Sequence, residues 1–149
     1  MSRVAPGQAE RQIRALLDER LAALRSRDAS RFAARFDGSI VTFDLAPPLQ
    51  QAGPVVLDPA GLQSWLDTFR GELSVELTGL RISAGDEVAF CHCLEHITGT
   101  RTDGEQLDLW IRSTLGLRQV DGAWRITHEH NSVPIMMDGS QSAALDLRP

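Results

Sequence analysis

The side chains of this sequence that are best suited to acid–base chemistry are four histidines: His92, His96, His128 and His130. An imidazole can accept or donate a proton near physiological pH, so histidines gathered at one place could act on a bound substrate. Other chemistries are excluded, because all 15 basic residues are arginine and tyrosine is absent. The chain therefore has no lysine for a Schiff base and no phenol to act as an acid.

Two Asp-Gly pairs set the register of the segments that carry these histidines. Asp103-Gly104 and Asp121-Gly122 each separate two strand-like segments and predict two-residue hairpin turns. In this register Glu95 lies directly opposite Arg112, and we interpret the pair as stabilising the sheet. Side chains alternate between the two faces of a strand, so the register also decides which residues share a face. A single β-bulge would change that assignment.

One face of the predicted sheet is mostly apolar and collects polar side chains towards one end. Those polar residues are His92, His96, Ser113, His128, His130 and Ser132. A core that grades into a polar patch is typical of a ligand pocket. The histidines could instead be hydrogen-bonded residues of a semi-polar core. We expect no metal ion, because histidines on strands converge at this spacing only if the sheet curls strongly.

The elements that must position these residues follow a simple order. Apolar residues at three- and four-residue spacing from Ile13 to Leu24 predict a long helix, and Asp28 predicts the N-cap of a short second helix over 29–36. Asp58-Pro59 predicts the start of a third helix, whose apolar stripe includes Trp65. Four predicted strands follow, over 72–83, 87–98, 106–119 and 124–133. Helices followed by an antiparallel meander indicate the α+β class.

The composition bears on the number of domains, the partners and the cellular location that we expect. A chain of 149 residues, 42% of them hydrophobic, is the size of one domain with one core. The net charge of −5 and the lack of a basic cluster argue against nucleic acid as a partner. No apolar run is long enough to span a membrane, and we expect a cytoplasmic protein without a membrane partner. Cys91 and Cys93, two apart in a strand, predict two reduced thiols.

The segment 121–134 resembles the closing hairpin and last strand of SnoaL-like proteins in the nuclear transport factor 2 superfamily. It reads Asp-Gly-Ala-Trp-Arg-Ile-Thr-His-Glu-His-Asn-Ser-Val-Pro. It is also similar to the end of the association domain of calcium/calmodulin-dependent kinase, where an Asp-Gly-x-Trp stretch runs into His-x-His-x-Ser. Earlier segments agree in order, so the resemblance spans residues 8–138. We expect one domain over 1–138 and a loose tail over 139–149.

The resemblance implies a cystatin-like α+β roll, a cone-shaped and strongly curved antiparallel sheet wrapped around N-terminal helices. A pocket would open at the wide end, the first strand would lie beside the last, and two copies would form a homodimer through their sheets. Asp44 would approach His128 and His130 at the pocket mouth, where the related ketosteroid isomerase places its general base. That enzyme's tyrosine is absent, and Thr114 stands in place of its acid. Leu115 replaces the pocket arginine of the kinase domain.

The first hypothesis is therefore an enzyme that acts on a small apolar or polyketide-like substrate as an isomerase, cyclase or dehydratase. Asp44 or His130 would abstract a proton next to a carbonyl. His92, His128 and Ser132 would donate hydrogen bonds to the oxyanion that develops.

The alternative is a non-catalytic module that binds a small molecule or mediates dimerisation. In both cases Ser113 and Trp65 would line the ligand pocket, Trp65 from the third helix and Ser113 from the sheet. Neither hypothesis requires a cofactor.

Overall fold

The computed structural model describes residues 7–149 and has the α+β organisation that the sequence predicts. In this part of the chain the helices are α1 (Gln8–Arg25), α2 (Ala29–Ala33), α3 (Pro54–Leu57) and α4 (Ala60–Leu66). The strands are β1 (Phe36–Phe43), β2 (Gln51–Ala52), β3 (Phe69–Ala84), β4 (Val88–Arg101), β5 (Gln106–Val120) and β6 (Ala123–Ser132). None of these helices is long and apolar enough to cross a membrane.

The helices α2 and α4 begin close to the aspartates from which their first residues are predicted. The Asp28 side chain caps α2 by accepting a hydrogen bond from the amide of Arg31 at 3.0 Å. The Asp58 carboxylate accepts from the amide of Ala60 at 2.9 Å, and α4 begins there, one residue later than predicted. The second helix is shorter than the predicted 29–36, because Phe36 already belongs to β1.

The six strands form one sheet in the order β2-β1-β6-β5-β4-β3. The resemblance correctly predicts that the first strand lies beside the last, but β1 and β6 run parallel, so the sheet is mixed instead of wholly antiparallel. The register of β3 shifts between Arg70 and Ser74 and again between Thr78 and Arg81, close to Gly71 and Gly79. Both glycines have positive φ, of 69° and 68°. Such irregularities bend a strand and help to curve the sheet.

One face of the sheet is covered by helices and forms the core; we call it the inner face, and the opposite side the outer face. The apolar stripe of α1, with Ile13, Leu16 and Leu17 buried, packs against Leu115 and Ile126 of the sheet. Burying aliphatic side chains of this size stabilises a fold by about 1.5–3 kcal/mol each. A second cluster joins α4 to β3, with these members buried: Ala29, Leu66, Phe69, Leu73 and Val75.

The hairpin between β4 and β5 does not have the predicted two-residue turn. The amide of Arg101 donates to the carbonyl of Glu105 at 2.8 Å, which leaves a three-residue loop that ends at Gly104 with φ 92°. A glycine in the left-handed conformation is typical of such three-residue loops. Glu95 consequently lies opposite Ile111, and the predicted Glu95–Arg112 pair is wrong. A slip of one residue exchanges the two faces of β4 relative to β5.

The hairpin between β5 and β6 has the predicted two-residue turn at Asp121-Gly122, with Val120 opposite Ala123. A bulge then follows, because Ile126 pairs with Leu117 while His128 pairs with Gly116. The extra residue on β6 is Thr127, whose hydroxyl donates to the carbonyl of Gly116 at 3.3 Å. Beyond the bulge, the side chains of β6 point to the face opposite to the predicted one.

The last residues of the chain, for which the sequence predicts a loose tail, make several contacts. Ile135 and Ala143 form an isolated β-bridge, and Ala144 is only 4% exposed. The Arg148 guanidinium lies 3.1 Å from the Asp108 carboxylate of β5. The bridge lies within the C-terminal segment itself, the Arg148–Asp108 ion pair is its contact with β5, and the loose tail stays a prediction.

Candidate functional site

A group of polar side chains lies on the inner face, between α1 and the sheet. We call it the inner polar cluster; its members are Arg20, Asp44, Glu95, Ser113, Glu129 and Asn131. Strand pairing assigns the sheet residues to this face, because Glu129 lies opposite the buried Leu115 and Asn131 opposite the buried Ser113. Asp44 follows the last residue of β1, at the carboxyl end of the strand that runs parallel to β6.

Arg20 and Glu129 form a buried ion pair at the centre of the cluster. The guanidinium Nη2 lies 2.7 Å from a Glu129 oxygen, and the two side chains are only 8% and 12% exposed. Arg20 follows Ile13, Leu16 and Leu17 on the apolar stripe of α1, which is why its side chain faces the core. The guanidinium also stacks over the ring of Phe32, with 4.2 Å between its carbon and the ring centroid.

Asn131 connects this ion pair to the rim of the cluster. Its amide nitrogen donates to the second Glu129 oxygen at 3.0 Å and to the Asp44 carboxylate at 3.4 Å. Both carboxylate oxygens of Glu129 are therefore occupied, one by Arg20 and one by Asn131. Asp44 itself is exposed and also accepts a hydrogen bond from the amide of Leu45 at 2.7 Å.

The surroundings of Glu95 make its carboxyl group a weaker acid than an ordinary glutamate. Burial raises the pKa of its carboxyl group from 4.5 to about 7, and the negative charges of Glu129 and Asp44 add to the rise. The Arg20 charge and a hydrogen bond with Ser113 oppose it. A carboxyl group with this pKa is partly ionised at neutral pH, so it can both accept and donate a proton.

Two atoms of the cluster are buried without a hydrogen-bond partner among the described residues. They are Nε of Arg20, which is a donor, and Oδ1 of Asn131, which is an acceptor. Buried polar groups are almost always hydrogen-bonded in folded proteins, so each such atom needs an explanation. Both atoms are closed off from solvent, so neither can contact a bound molecule unless the side chains around it move.

The two thiols of β4 lie on the same face but are poor nucleophiles. Burial raises the pKa of Cys91 to about 11. Burial together with the nearby Glu95 charge raises the pKa of Cys93 to about 12. Both cysteines are free, as the sequence predicts. Their thiols are almost wholly protonated at neutral pH, which makes covalent catalysis unfavourable.

The four histidines share a face, as predicted, but it is the outer face. The ring of Phe43 packs against His128 and His130, at centroid distances of 4.8 and 5.3 Å. The Nδ1 atom of His128 lies 2.7 Å from the carbonyl oxygen of Val41, a contact in which the nitrogen donates. These rings therefore interact with strand β1 and not with the inner polar cluster.

The other two histidines belong to different surroundings. His96 stacks on Trp110 with 4.3 Å between ring centroids, and its Nε2 lies 2.7 Å from Asp108. His92 is exposed, and its ring lies 6.4 Å from that of Phe90. No group of three or more potential metal ligands occurs within residues 7–149.

The structure thus divides the residues that the sequence proposes for one site. Asp44 and Ser113 lie in the inner polar cluster. His92, His128, His130 and Ser132 lie on the outer face, where the Ser132 hydroxyl accepts a hydrogen bond from Arg112 at 3.1 Å. Trp65 packs edge-on against Phe69 in the second core cluster, at 4.9 Å between centroids. The catalytic and binding roles predicted for these residues stay predictions.

Four members of the inner polar cluster are not among the predicted site residues: Arg20, Glu95, Glu129 and Asn131. Three of them lie on β4 and β6, where the incorrect register assigned them to the other face. Arg20 carried a signal of its own, because it is a charged residue at a position of the α1 stripe that is otherwise apolar.

The sequence matches the sequence model of one protein family. The model of the SnoaL-like domain matches residues 13–136, which is most of the chain. The chain belongs to the SnoaL-like family. The predicted resemblance is confirmed, and no curated protein matches the sequence.

Solved structures agree with this assignment. A nuclear transport factor 2-like protein of unknown function from Pseudomonas putida KT2440 is 32% identical to this SnoaL-like protein and has a TM-score of 0.82, with 95% of this chain and 96% of that chain covered. A protein with a cystatin-like fold from Caulobacter vibrioides is 21% identical, with a TM-score of 0.69 and coverages of 86% and 91%. A proposed calcium/calmodulin-dependent protein kinase II association domain from Xanthomonas campestris is 20% identical, with a TM-score of 0.70 and coverages of 82% and 85%. The cystatin-like α+β fold is therefore confirmed.

Proposed function

We propose that this SnoaL-like protein is an enzyme that moves a proton next to a carbonyl group of a small molecule, with Glu95 as the base. The observation that supports this most strongly is the inner polar cluster itself. A carboxyl group, a buried guanidinium and two unpaired polar atoms lie together beneath α1. Perturbed titratable groups gathered with unsatisfied polar atoms are typical of active sites.

The proposed reaction uses the residues in different roles. The Glu95 carboxylate accepts a proton from the carbon next to the carbonyl, and the electron pair of the broken C–H bond moves into an enolate. The positive charge of the Arg20 guanidinium stabilises the negative charge of the enolate. The Glu95 carboxylic acid then returns the proton at another carbon, or to a leaving hydroxyl group. The first outcome is an isomerisation and the second a dehydration.

Glu129 and Ser113 are positioning residues in this proposal. Glu129 holds the guanidinium at 2.7 Å, and Ser113 hydrogen-bonds Glu95. Asp44 lies at the exposed rim, where its negative charge helps to raise the pKa of Glu95. The base thus differs from the Asp44 or His130 that the sequence favours.

Exchange of carbon-bound protons in heavy water tests the proposed function. Small ketones are incubated with the protein, and loss of the NMR signal of the protons next to the carbonyl is followed. We expect exchange of at least one ketone to fall by about 10²–10⁴ in Glu95→Gln, the usual contribution of a general base. Glu87→Gln, at an exposed glutamate in the turn after β3, is the matched control and should exchange like the wild type. Equal rates in wild type and Glu95→Gln would contradict the proposal.

We also propose that two copies of the chain associate through the outer face. Val88 and Phe90 of β4 are 58% and 51% exposed, and Phe90 stands beside His92 on this face. Large exposed apolar side chains on a strand often mark an interface. Light scattering should give the mass of a dimer for the wild type and of a monomer for Phe90→Glu. Val55→Glu, at a residue of α3 that is also 58% exposed, should stay dimeric. A monomeric wild type would refute the proposal.

A further inference from the structure

We infer that the outer face binds an oxyanion of the phosphate or sulfate class between two copies of the chain. This inference rests on the proposed dimer and adds a ligand to its interface. It follows from the charges that strand pairing gathers on the outer face and from the way in which a symmetric interface brings those charges together.

The outer face around Phe90 is positively charged, although the whole chain has a net charge of −5. Its arginines, which we call the basic patch, are Arg81, Arg112, Arg118 and Arg125. Arg118 and Arg125 point outward because their chain neighbours Leu117 and Trp124 are buried on the inner face. No carboxylate side chain points outward from the strand segments around Phe90, which are 78–83, 88–94, 112–118 and 125–132.

The guanidinium groups of the basic patch keep most of their donors available. None of the four forms an ion pair with a carboxylate within residues 7–149. Arg112 donates from Nε to the Ser132 hydroxyl at 3.1 Å, and Arg125 donates from Nη1 to the carbonyl of Ala34 at 3.4 Å. A guanidinium has five N–H donors, so each group can still bind an anion. Three of the four side chains are exposed and within reach of a ligand: Arg81, Arg112 and Arg118.

Asp37 of β1 offsets part of the charge of the basic patch. Hydrogen bonds from Ser39 lower the pKa of its carboxyl group most, and the charges of Arg125 and Arg118 lower it further. Asp37 is therefore a carboxylate at neutral pH. One carboxylate beside four guanidinium groups leaves an excess of positive charge.

A symmetric dimer brings the basic patches of both copies together. Two identical chains related by a twofold axis present the same surface to each other. Arg118 pairs across the strands with Val88, two residues from Phe90 along β4. Arg81 pairs with His92, two residues from Phe90 in the other direction. A twofold axis near Phe90 therefore places arginines of one copy against those of the other, and like charges that face each other oppose association.

Two acids at the far end of the outer face do not compensate this charge. Glu76 pairs with His96, six residues along β4 from Phe90, and Asp108 lies beyond it, paired with Arg148. At about 3.3 Å per residue, Glu76 is about 20 Å from Phe90 along the sheet. A twofold axis near Phe90 therefore does not bring these acids to the basic patch of the other copy.

A tetrahedral oxyanion meets the requirement of this interface. Phosphate and sulfate carry negative charge on several acceptor oxygens, and the planar fork of a guanidinium binds two such oxygens at once. One anion between the copies can accept hydrogen bonds from arginines of both, so its site is incomplete in a single chain. Chloride has no separate acceptor oxygens and cannot pair with guanidinium forks in this way.

Sedimentation equilibrium tests the inference by measuring the dimer dissociation constant at constant ionic strength, with chloride alone or with phosphate titrated into the millimolar range. An anion that binds only the dimer strengthens it by mass action, so phosphate at about ten times its dissociation constant should lower the dimer dissociation constant about tenfold. Arg118→Gln should remove most of this effect and should form a stronger dimer than the wild type in chloride. Arg31→Gln, at an exposed arginine of α2, is the matched control and should respond like the wild type.

Two results would overturn the inference: a wild-type dimer of equal strength in chloride and phosphate, or a phosphate effect of equal size in Arg118→Gln and Arg31→Gln. The second result would mean that phosphate acts by strengthening apolar burial in general. A dimer that does not respond to phosphate refutes only the oxyanion, whereas a chain that is monomeric in every buffer refutes the proposed dimer as well. The exchange experiment judges the proposed reaction separately, because it concerns the inner face.

Discussion

Replacing Glu95 by glutamine should make the protein more stable than the wild type at neutral and higher pH. At pH 4 the substitution should change the free energy of unfolding little. The carboxyl group has a pKa of about 7 in the folded protein and 4.5 as its ordinary value. Below pH 4.5 the group is protonated in both the folded and the unfolded chain, so its ionisation costs nothing. As the pH rises from 4.5 to about 7, the unfolded chain releases this proton while burial and the neighbouring carboxylates keep it on the folded chain, so the wild type loses stability over this range.

The size of the effect follows from the difference between the two pKa values. A rise from 4.5 to about 7 corresponds to about 3 kcal/mol in the free energy of unfolding. Glutamine does not ionise, so the variant lacks this loss. We therefore expect Glu95→Gln to gain about 3 kcal/mol on the wild type between pH 4 and pH 8. In a domain of this size that corresponds to a shift in melting temperature of about 9 °C.

Urea unfolding of wild type and variant at a series of pH values measures this difference. Subtracting the free energy of unfolding of the wild type from that of the variant at each pH removes the contribution of the other carboxyl groups, which titrate in both proteins. Glu87→Gln serves as the control and should track the wild type at every pH, because this side chain is exposed. A Glu95→Gln difference that is the same at pH 4 and at pH 8 would refute the assignment of a raised pKa to Glu95.

Three further predictions concern packing, the ion pair and the thiols. Gly99→Ala should destabilise the protein by about 1–3 kcal/mol in thermal unfolding, because the new Cβ would lie 2.8 Å from the Leu73 side chain. Gly61→Ala in α4 is the control: its Cβ meets nothing within 4 Å, so the variant should be about 0.5–1 kcal/mol more stable than the wild type. Arg20→Met should lower the free energy of unfolding by about 3–5 kcal/mol, because it leaves the Glu129 charge buried and unpaired. Adding Glu129→Leu removes that charge, so a double variant no more stable than Arg20→Met would contradict this explanation. The two thiols of β4 should react with a disulfide reagent at pH 8 far more slowly in the folded protein than in urea, and equal rates would show that they are not protected.

The helices α1, α2 and α4 and the meander from β3 to β6 could be predicted because their signals are local, whereas the place of β1 beside β6 came from the family resemblance, and α3 and β2 were not predicted. The spacing of Ile13, Leu16 and Leu17 places one face of α1 against the sheet, and the Asp28 side chain caps α2. The turn at Asp121-Gly122 has the two positive φ angles, 51° and 81°, that its sequence favours. These features depend on a few neighbouring residues, which the sequence contains.

The site could not be predicted as reliably, because it depends on two single-residue shifts. An Asp-Gly pair fits a two-residue turn and also a three-residue loop, and Asp103-Gly104 adopts the second. The bulge at Thr127 lies opposite Gly116 of β5, and although an isolated glycine in a strand can mark a bulge, it does not say which residue of the neighbouring strand is the extra one. Each shift moves a set of side chains to the other face. Histidines expected inside are therefore outside, and Glu95 and Glu129 lie inside.

Glu95 is a carboxyl group of the inner face whose raised pKa suits it to proton transfer, and that pKa can be measured directly. The protein would be labelled with ¹³C at the glutamate carboxyl groups and titrated by NMR, with the Glu95→Gln spectrum identifying the resonance. We expect this resonance to titrate with a midpoint at about pH 7. A midpoint near 4.5, like that of an ordinary glutamate, would show that Glu95 is not prepared for proton transfer.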